Sequence, residues 1–188
     1  MTAGPSIIID ASVAIALLLD EPEAVEIATV MTRWSDSGRT IMVPTHFWLE
    51  VINRIRRVSG TDGERMLATV HRLDSLGIQT VESSRPMLIQ VIDRVERHGL
   101  TPYDAMYLAL AETVDGRLAT LDRPLAMAAG PRAITFGGDG RRLHDAPSVY
   151  EHDVTWPNYK HASAYLARLR AETLAEPGST AGGRTAPR

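Results

Sequence analysis

Apolar positions fall into two kinds of run along this chain. Short, non-alternating stretches rich in β-branched residues occur at residues 6–9 (Ile7, Ile8 and Ile9), 41–43 and 78–81. Two more, at 117–121 and 133–136, complete the set. Such runs read as strands buried on both faces, as in a parallel sheet. Between them lie longer segments with helical spacing. One helix starts near Ser12 and breaks at Asp20-Glu21-Pro22, and a second runs over 22–35. A third covers 47–58, with Thr45 as its candidate N-cap after Pro44 stops the strand. Thr61-Asp62-Gly63-Glu64 is a capping box that opens a helix to about Leu76, closed by Gly77. Ser84-Arg85-Pro86 starts a helix that ends at His98-Gly99, and Pro124 to Ala129 is a short helix ended by Gly130. Strands alternating with helices predict an α/β layered domain with a mainly parallel sheet.

The segment between Gly99 and Asp115-Gly116 organises the rest. Thr101 is a good N-cap, Pro102 suits the first helical position, and Asp104 falls third, where a carboxylate can bond back to the cap. Met106, Leu108, Ala109, Leu110 and Ala111 follow, so this helix is buried on most sides. Taken alone, Asp104 needs no role beyond capping. Three further acids at element ends change that picture: Asp10, Glu50 and Asp122.

After Phe136 the pattern dissolves. Gly137 to Arg142 is a turn or linker, and residues 158–175 form one amphipathic helix with Tyr159, Ala162, Tyr165, Leu166 and Leu169 on one face. From Pro177 the composition is that of a disordered tail. The expected division is a domain over 1–136, an extension over 137–176 and a tail over 177–188.

A chain of 188 residues with 44% hydrophobic content fits one folded domain with an appendage. The absence of cysteine removes disulfides and thiolate metal sites. A net charge of −3 excludes a uniformly basic coat but not a local basic face. The apolar run from Ile7 to Leu19 has no basic residue before it, is interrupted by Asp10 and is too short to span a bilayer, so the expectation is a soluble, cytoplasmic protein.

Ligands of open parallel sheets bind beyond the carboxyl ends of the strands. Asp10 and Asp122 follow strands, and Glu50 and Asp104 open helices that begin on that same side. Carboxylates gathered there repel one another unless a cation neutralises them. Oxygen-only ligands suit Mg²⁺ or Mn²⁺, and such a site supports metal-assisted hydrolysis of a phosphodiester.

The segments Ile8-Ile9-Asp10-Ala11-Ser12, Leu49-Glu50-Val51-Ile52-Asn53, Tyr103-Asp104-Ala105-Met106-Tyr107-Leu108-Ala109 and Ala119-Thr120-Leu121-Asp122 resemble, in order, the four acidic motifs of the PIN domain. They are most similar to those of VapC-type toxins of bacterial toxin–antitoxin pairs. The resemblance covers residues 6–136 and implies a three-layer α/β/α sandwich and a Mg²⁺-dependent endoribonuclease. It implies that Asp10 and Asp104 are the principal metal ligands and that Glu50 and Asp122 complete the site. Ser12 and Thr120 match hydroxyl positions beside the acids, and Asn53 lies one turn beyond Glu50. A homodimer and a cognate antitoxin are implied as well. Many relatives end near Phe136, so the extension is a departure.

Other candidates carry two readings each. Arg54, Arg56 and Arg57 follow Glu50, as phosphate contacts of an RNA-binding nuclease or as a solvated helix face. Arg141 and Arg142 read as solvated linker residues. Trp34, Trp48, Tyr103 and Tyr107 read as core or dimer contacts rather than base-stacking platforms. The histidines show no metal-ligand spacing, with His46 the nearest to an exception. No Gly-rich phosphate loop is present, and Ser12 stands where an aspartyl-phosphate phosphatase would want a second Asp. The alternative to a nuclease is a non-catalytic RNA- or protein-binding module of the same fold, which would have no use for four mutually repelling acids.

Overall fold

A computed structural model of the chain describes residues 4–60 and 62–137. The expected linker beyond its first residue, Gly137, the helix over 158–175 and the tail from Pro177 lie outside the described residues. Strands β1 (Ile7–Ile9), β2 (Ile41–Pro44), β3 (Gln79–Val81), β4 (Arg117–Ala119) and β5 (Ala133–Ile134) form one sheet in the order β3-β2-β1-β4-β5, parallel throughout. Seven α-helices accompany it among the described residues: α1 (Ala11–Leu18), α2 (Ala24–Asp36), α3 (Phe47–Ser59), α4 (Gly63–Asp74), α5 (Arg85–His98), α6 (Pro102–Thr113) and α7 (Arg123–Ala129). This is the α/β sandwich that alternating strands and helices foretold. None of these helices is long and apolar enough to cross a membrane.

The three isoleucines of β1 are completely buried because β1 is the central strand, flanked by β2 and β4. Chain order runs outward from β1 through β2 to β3, then jumps back to place β4 on the other side of β1. The reversal puts a topological switch point between the carboxyl ends of β1 and β4, the place where open α/β sheets bind ligands.

Helix α6 covers this centre. It packs against β1, β2 and β4 on one side and α5 on another, and every residue from Ala105 to Ala111 is buried. Its apolar surroundings explain why its sequence has no polar stripe. Gly99, in the left-handed conformation at φ 65°, ends α5 and lets the chain turn directly into α6. Phe47, Val51 and Ile55 recur at helical spacing and seat α3 in the same core.

Two expected caps differ. Thr45 does not cap α3; its hydroxyl donates to the Val81 carbonyl of β3 (3.3 Å), and α3 starts from His46. Helix α4 is capped by Asp62, one position later than expected, because its carboxylate accepts from the amides of both Glu64 (3.0 Å) and Arg65 (3.3 Å).

Gly116 brings β4 against β1. A Cβ there would stand 2.7 Å from Ile8 Cδ1 and 2.8 Å from the Ser6 carbonyl oxygen, backbone that cannot yield cheaply. Gly116→Ala is therefore expected to lower stability by about 1–3 kcal/mol, read as a lower urea midpoint at unchanged slope.

Candidate active site

Asp10 occupies the single step between β1 and α1, so the central strand delivers its carboxylate to the switch point. It is buried, 5% exposed. Its Oδ2 accepts from Ser12 Oγ at 2.6 Å and from Thr120 Oγ1 at 2.7 Å. Each hydroxyl also accepts an amide from the junction between β4 and α7. Leu121 N donates to Ser12 Oγ (3.0 Å), and Asp122 N donates to Thr120 Oγ1 (2.9 Å). The two strand ends are thus cross-linked through one carboxylate oxygen. Both bonds favour the ionised acid, at about 1.5–3 kcal/mol each. Burial nevertheless prevails and raises the pKa of Asp10, since removing a carboxylate from water costs several kcal/mol.

The other acids arrive from three more elements. Asp122 caps α7, accepting from Leu125 N at 2.7 Å. Asp104, in the first turn of α6, accepts the Thr101 hydroxyl at 2.6 Å while its own amide donates back to that hydroxyl (3.1 Å). The expected bond from carboxylate to cap exists, made through the cap's side chain. Glu50, in the first turn of α3, accepts the Tyr107 hydroxyl at 2.5 Å.

These four acids feel one another. Burial pushes Asp104 up to about 6, opposed by the Thr101 hydroxyl and reinforced by the charges of Asp10 and Asp122. Burial pushes Glu50 up to about 8 despite the Tyr107 bond, and the charges of Asp10 and Asp104 add to it. Burial lowers His46 to about 4. Its Nε2 stands 3.5 Å from Glu50 Oε2, but a neutral imidazole beside a protonated carboxyl is no ion pair at neutral pH.

An oxygen-only set in which desolvation raises Asp10, Glu50 and Asp104, and neighbouring charge raises the last two further, fits a hard divalent cation, whose charge would oppose these shifts. No three of the described His, Asp or Glu side chains are yet drawn close enough to clasp an ion.

The family model of the PIN domain matches residues 7–131. The chain belongs to the PIN domain family. A 30-residue stretch is 63% identical to Ribonuclease VapC3 of Pyrobaculum aerophilum, spanning 16% of this chain and 23% of that relative. A toxin–antitoxin complex from Klebsiella pneumoniae aligns with a TM-score of 0.51 at 19% identity, over 69% of this chain and 97% of the other. VapC20 of Mycobacterium tuberculosis, described as a Sarcin-Ricin loop cleaving toxin, aligns with a TM-score of 0.50 at 17% identity, over 71% of this chain and 92% of that one. At these identities the structural likeness is one of fold.

Within this PIN domain, the charge of Asp10 reaches Glu50 and Asp104, that of Asp122 reaches Asp104, and Ser12 and Thr120 directly touch Asp10. Asn53 instead accepts from Arg56 at 3.5 Å on an exposed flank of α3. Arg54, Arg56 and Arg57 are all exposed. Arg54 and Arg57 continue the stripe of Glu50 along α3 by helical spacing, whereas Arg56 turns away from it. Trp34 is core, as expected. Tyr107 is buried but not merely core, and its bond to Glu50 was not expected. The available signal was its position one turn after Asp104.

The Glu50 shift has a measurable consequence. Unfolded, Glu50 titrates near 4.5; folded, near 8. Between those values the folded protein holds a proton that the unfolded chain has released, so stability falls as pH rises. Below about pH 6.5 His46 acts in the opposite sense, because there the unfolded chain binds the extra proton. In chelator, thermal midpoints of the parent should drop between about pH 6.5 and 8, and those of Glu50→Gln should drop less.

Proposed function

We propose that this chain is a metal-dependent endoribonuclease, the toxin of a VapC-type toxin–antitoxin pair, that hydrolyses RNA phosphodiester bonds. The observation that carries this reading is Asp10, held by Ser12 and Thr120 at the switch point of a PIN domain, with its charge felt by Glu50 and Asp104. Asp10, Glu50, Asp104 and Asp122 would hold Mg²⁺, with Mn²⁺ as a substitute. When bound, a divalent cation supplies the Lewis acidity that makes water nucleophilic near neutral pH and takes up charge on the phosphate.

The chain's own residues supply the rest. Ser12 and Thr120 hold Asp10 in one rotamer, so the site does not have to order it when the cation binds. Thr101 does the same for Asp104. The exposed Arg54 and Arg57 offer a path for the RNA backbone leading away from Glu50. With no cysteine in the chain, thiolate nucleophiles play no part. The named relatives are a ribonuclease, a toxin–antitoxin complex and a Sarcin-Ricin loop cleaving toxin, which supports an RNA substrate and a cognate antitoxin as partners. A homodimer is proposed on the same family ground.

Incubation with a mixed RNA pool tests this. Cleavage should require Mg²⁺ or Mn²⁺ and stop with a chelator. Asp10→Asn and Asp104→Asn should each slow it by on the order of a thousandfold, the effect of losing several kcal/mol of transition-state stabilisation. Cleavage by Asp104→Asn at the parent rate would remove the assignment. Arg54→Ala with Arg57→Ala should weaken RNA binding and flatten its salt dependence by up to about two counterions.

A further inference from the structure

We propose that Tyr107 is a positioning residue for the cation site: its hydroxyl sets where the Glu50 carboxylate stands relative to Asp104 and Asp10. The proposal rests on reading the cleft as a site for a divalent ion. Tyr107 lies one helical turn after Asp104 on α6, so the two side chains leave α6 on the same side. It is completely buried. Its hydroxyl crosses to α3 and donates to Glu50 Oε2 at 2.5 Å. One group therefore spans the two helices that carry Glu50 and Asp104.

Glu50 needs such a tether more than its neighbours do. Asp10 is held by hydroxyls from the first turn of α1 and the end of β4, and Asp122 and Asp104 are tied to their own helix starts. Glu50 has a longer, freer side chain, and the hydroxyl that reaches it comes from another helix. Without that hydroxyl the side chain would lose its tie to α6.

The tyrosine ring is itself wedged. His46, one turn before Glu50, packs its ring edge-on to Tyr107 with centroids 4.8 Å apart, and lies 5.6 Å from the ring of Tyr103. His46 Nε2 is buried with no hydrogen-bond partner among the described residues. It leaves the Tyr107 hydroxyl to hold Oε2. A packing role alone would be met by phenylalanine, since a buried hydroxyl is unfavourable unless it is bonded. The hydroxyl answers to Glu50.

Calorimetric titration of Mn²⁺ into the full chain, without RNA, tests this. Tyr107→Phe keeps the ring and should fold, as circular dichroism would verify, yet bind Mn²⁺ about 10–100-fold more weakly. In a Glu50→Gln background the same substitution should cost no more than about twofold, because the two residues act as one unit. Glu50→Asp, which withdraws the carboxylate from the hydroxyl without altering α6, should show a loss of similar order. Parent-like Mn²⁺ affinity in Tyr107→Phe, or an equal loss in both backgrounds, would overturn the positioning role. Asp10→Asn separates the two failures. If it abolishes binding while Tyr107→Phe does not, the cation site stands and the positioning role falls. If the parent binds no Mn²⁺, or Asp10→Asn binds it normally, the site and the positioning role fall together.

Discussion

One carboxylate oxygen, Asp10 Oδ2, receives two hydroxyls, one from the first turn of α1 and one from the end of β4, and the architecture of the cleft follows from that. Ser12 and Thr120 each donate to it and each accept an amide from the β4–α7 junction or its approach. The cross-link closes the gap between β1 and β4 at their carboxyl ends. It also places a buried negative charge at the centre of the sheet, where burial is most costly. Such a charge is tolerable only if a compensating charge can reach it. Glu50 and Asp104 make the need greater, since both are raised by desolvation and by neighbouring charge.

The sheet order explains why these residues meet at all. Asp10 and Asp122 are far apart along the chain, but β4 inserts beside β1, and Ile9 pairs with Ala119. Glu50 and Asp104 come from helices whose first turns lie at the same edge. Helix α6 adds rigidity because it is buried from Ala105 to Ala111, so Asp104 at its start inherits the precision of the core. A fold whose core isoleucines end in an aspartate turns packing accuracy into accuracy at the site.

Much of this was legible in the chain itself. Unbroken Ile and Val runs marked parallel strands, and Thr101-Pro102 with Asp104 marked the start of α6 to the residue. The four acids could be placed on one side of the sheet because their positions at strand ends and helix starts admit little else. Other features were not legible for physical reasons. Thr45 looked like a cap because caps are local, but its partner is a carbonyl on β3, a contact that only the sheet order creates. Tyr107 sits in an apolar run and reads as core; the partner that gives its hydroxyl a purpose is on another helix. Asn53 lies one turn beyond Glu50, but its partner there, Arg56, could not be read from the chain. Spacing predicts a side of a helix well and a hydrogen-bond partner poorly.

The most direct measurement is anomalous diffraction from a crystal of the protein equilibrated with Mn²⁺. The account predicts a peak in the cleft between β1 and β4, at about 2.1 Å from carboxylate oxygens of Asp10 and Asp104, a normal distance for a small hard cation. Asp10 and Asp104 left without density between them at saturating Mn²⁺, or a peak seated on other residues, would contradict it.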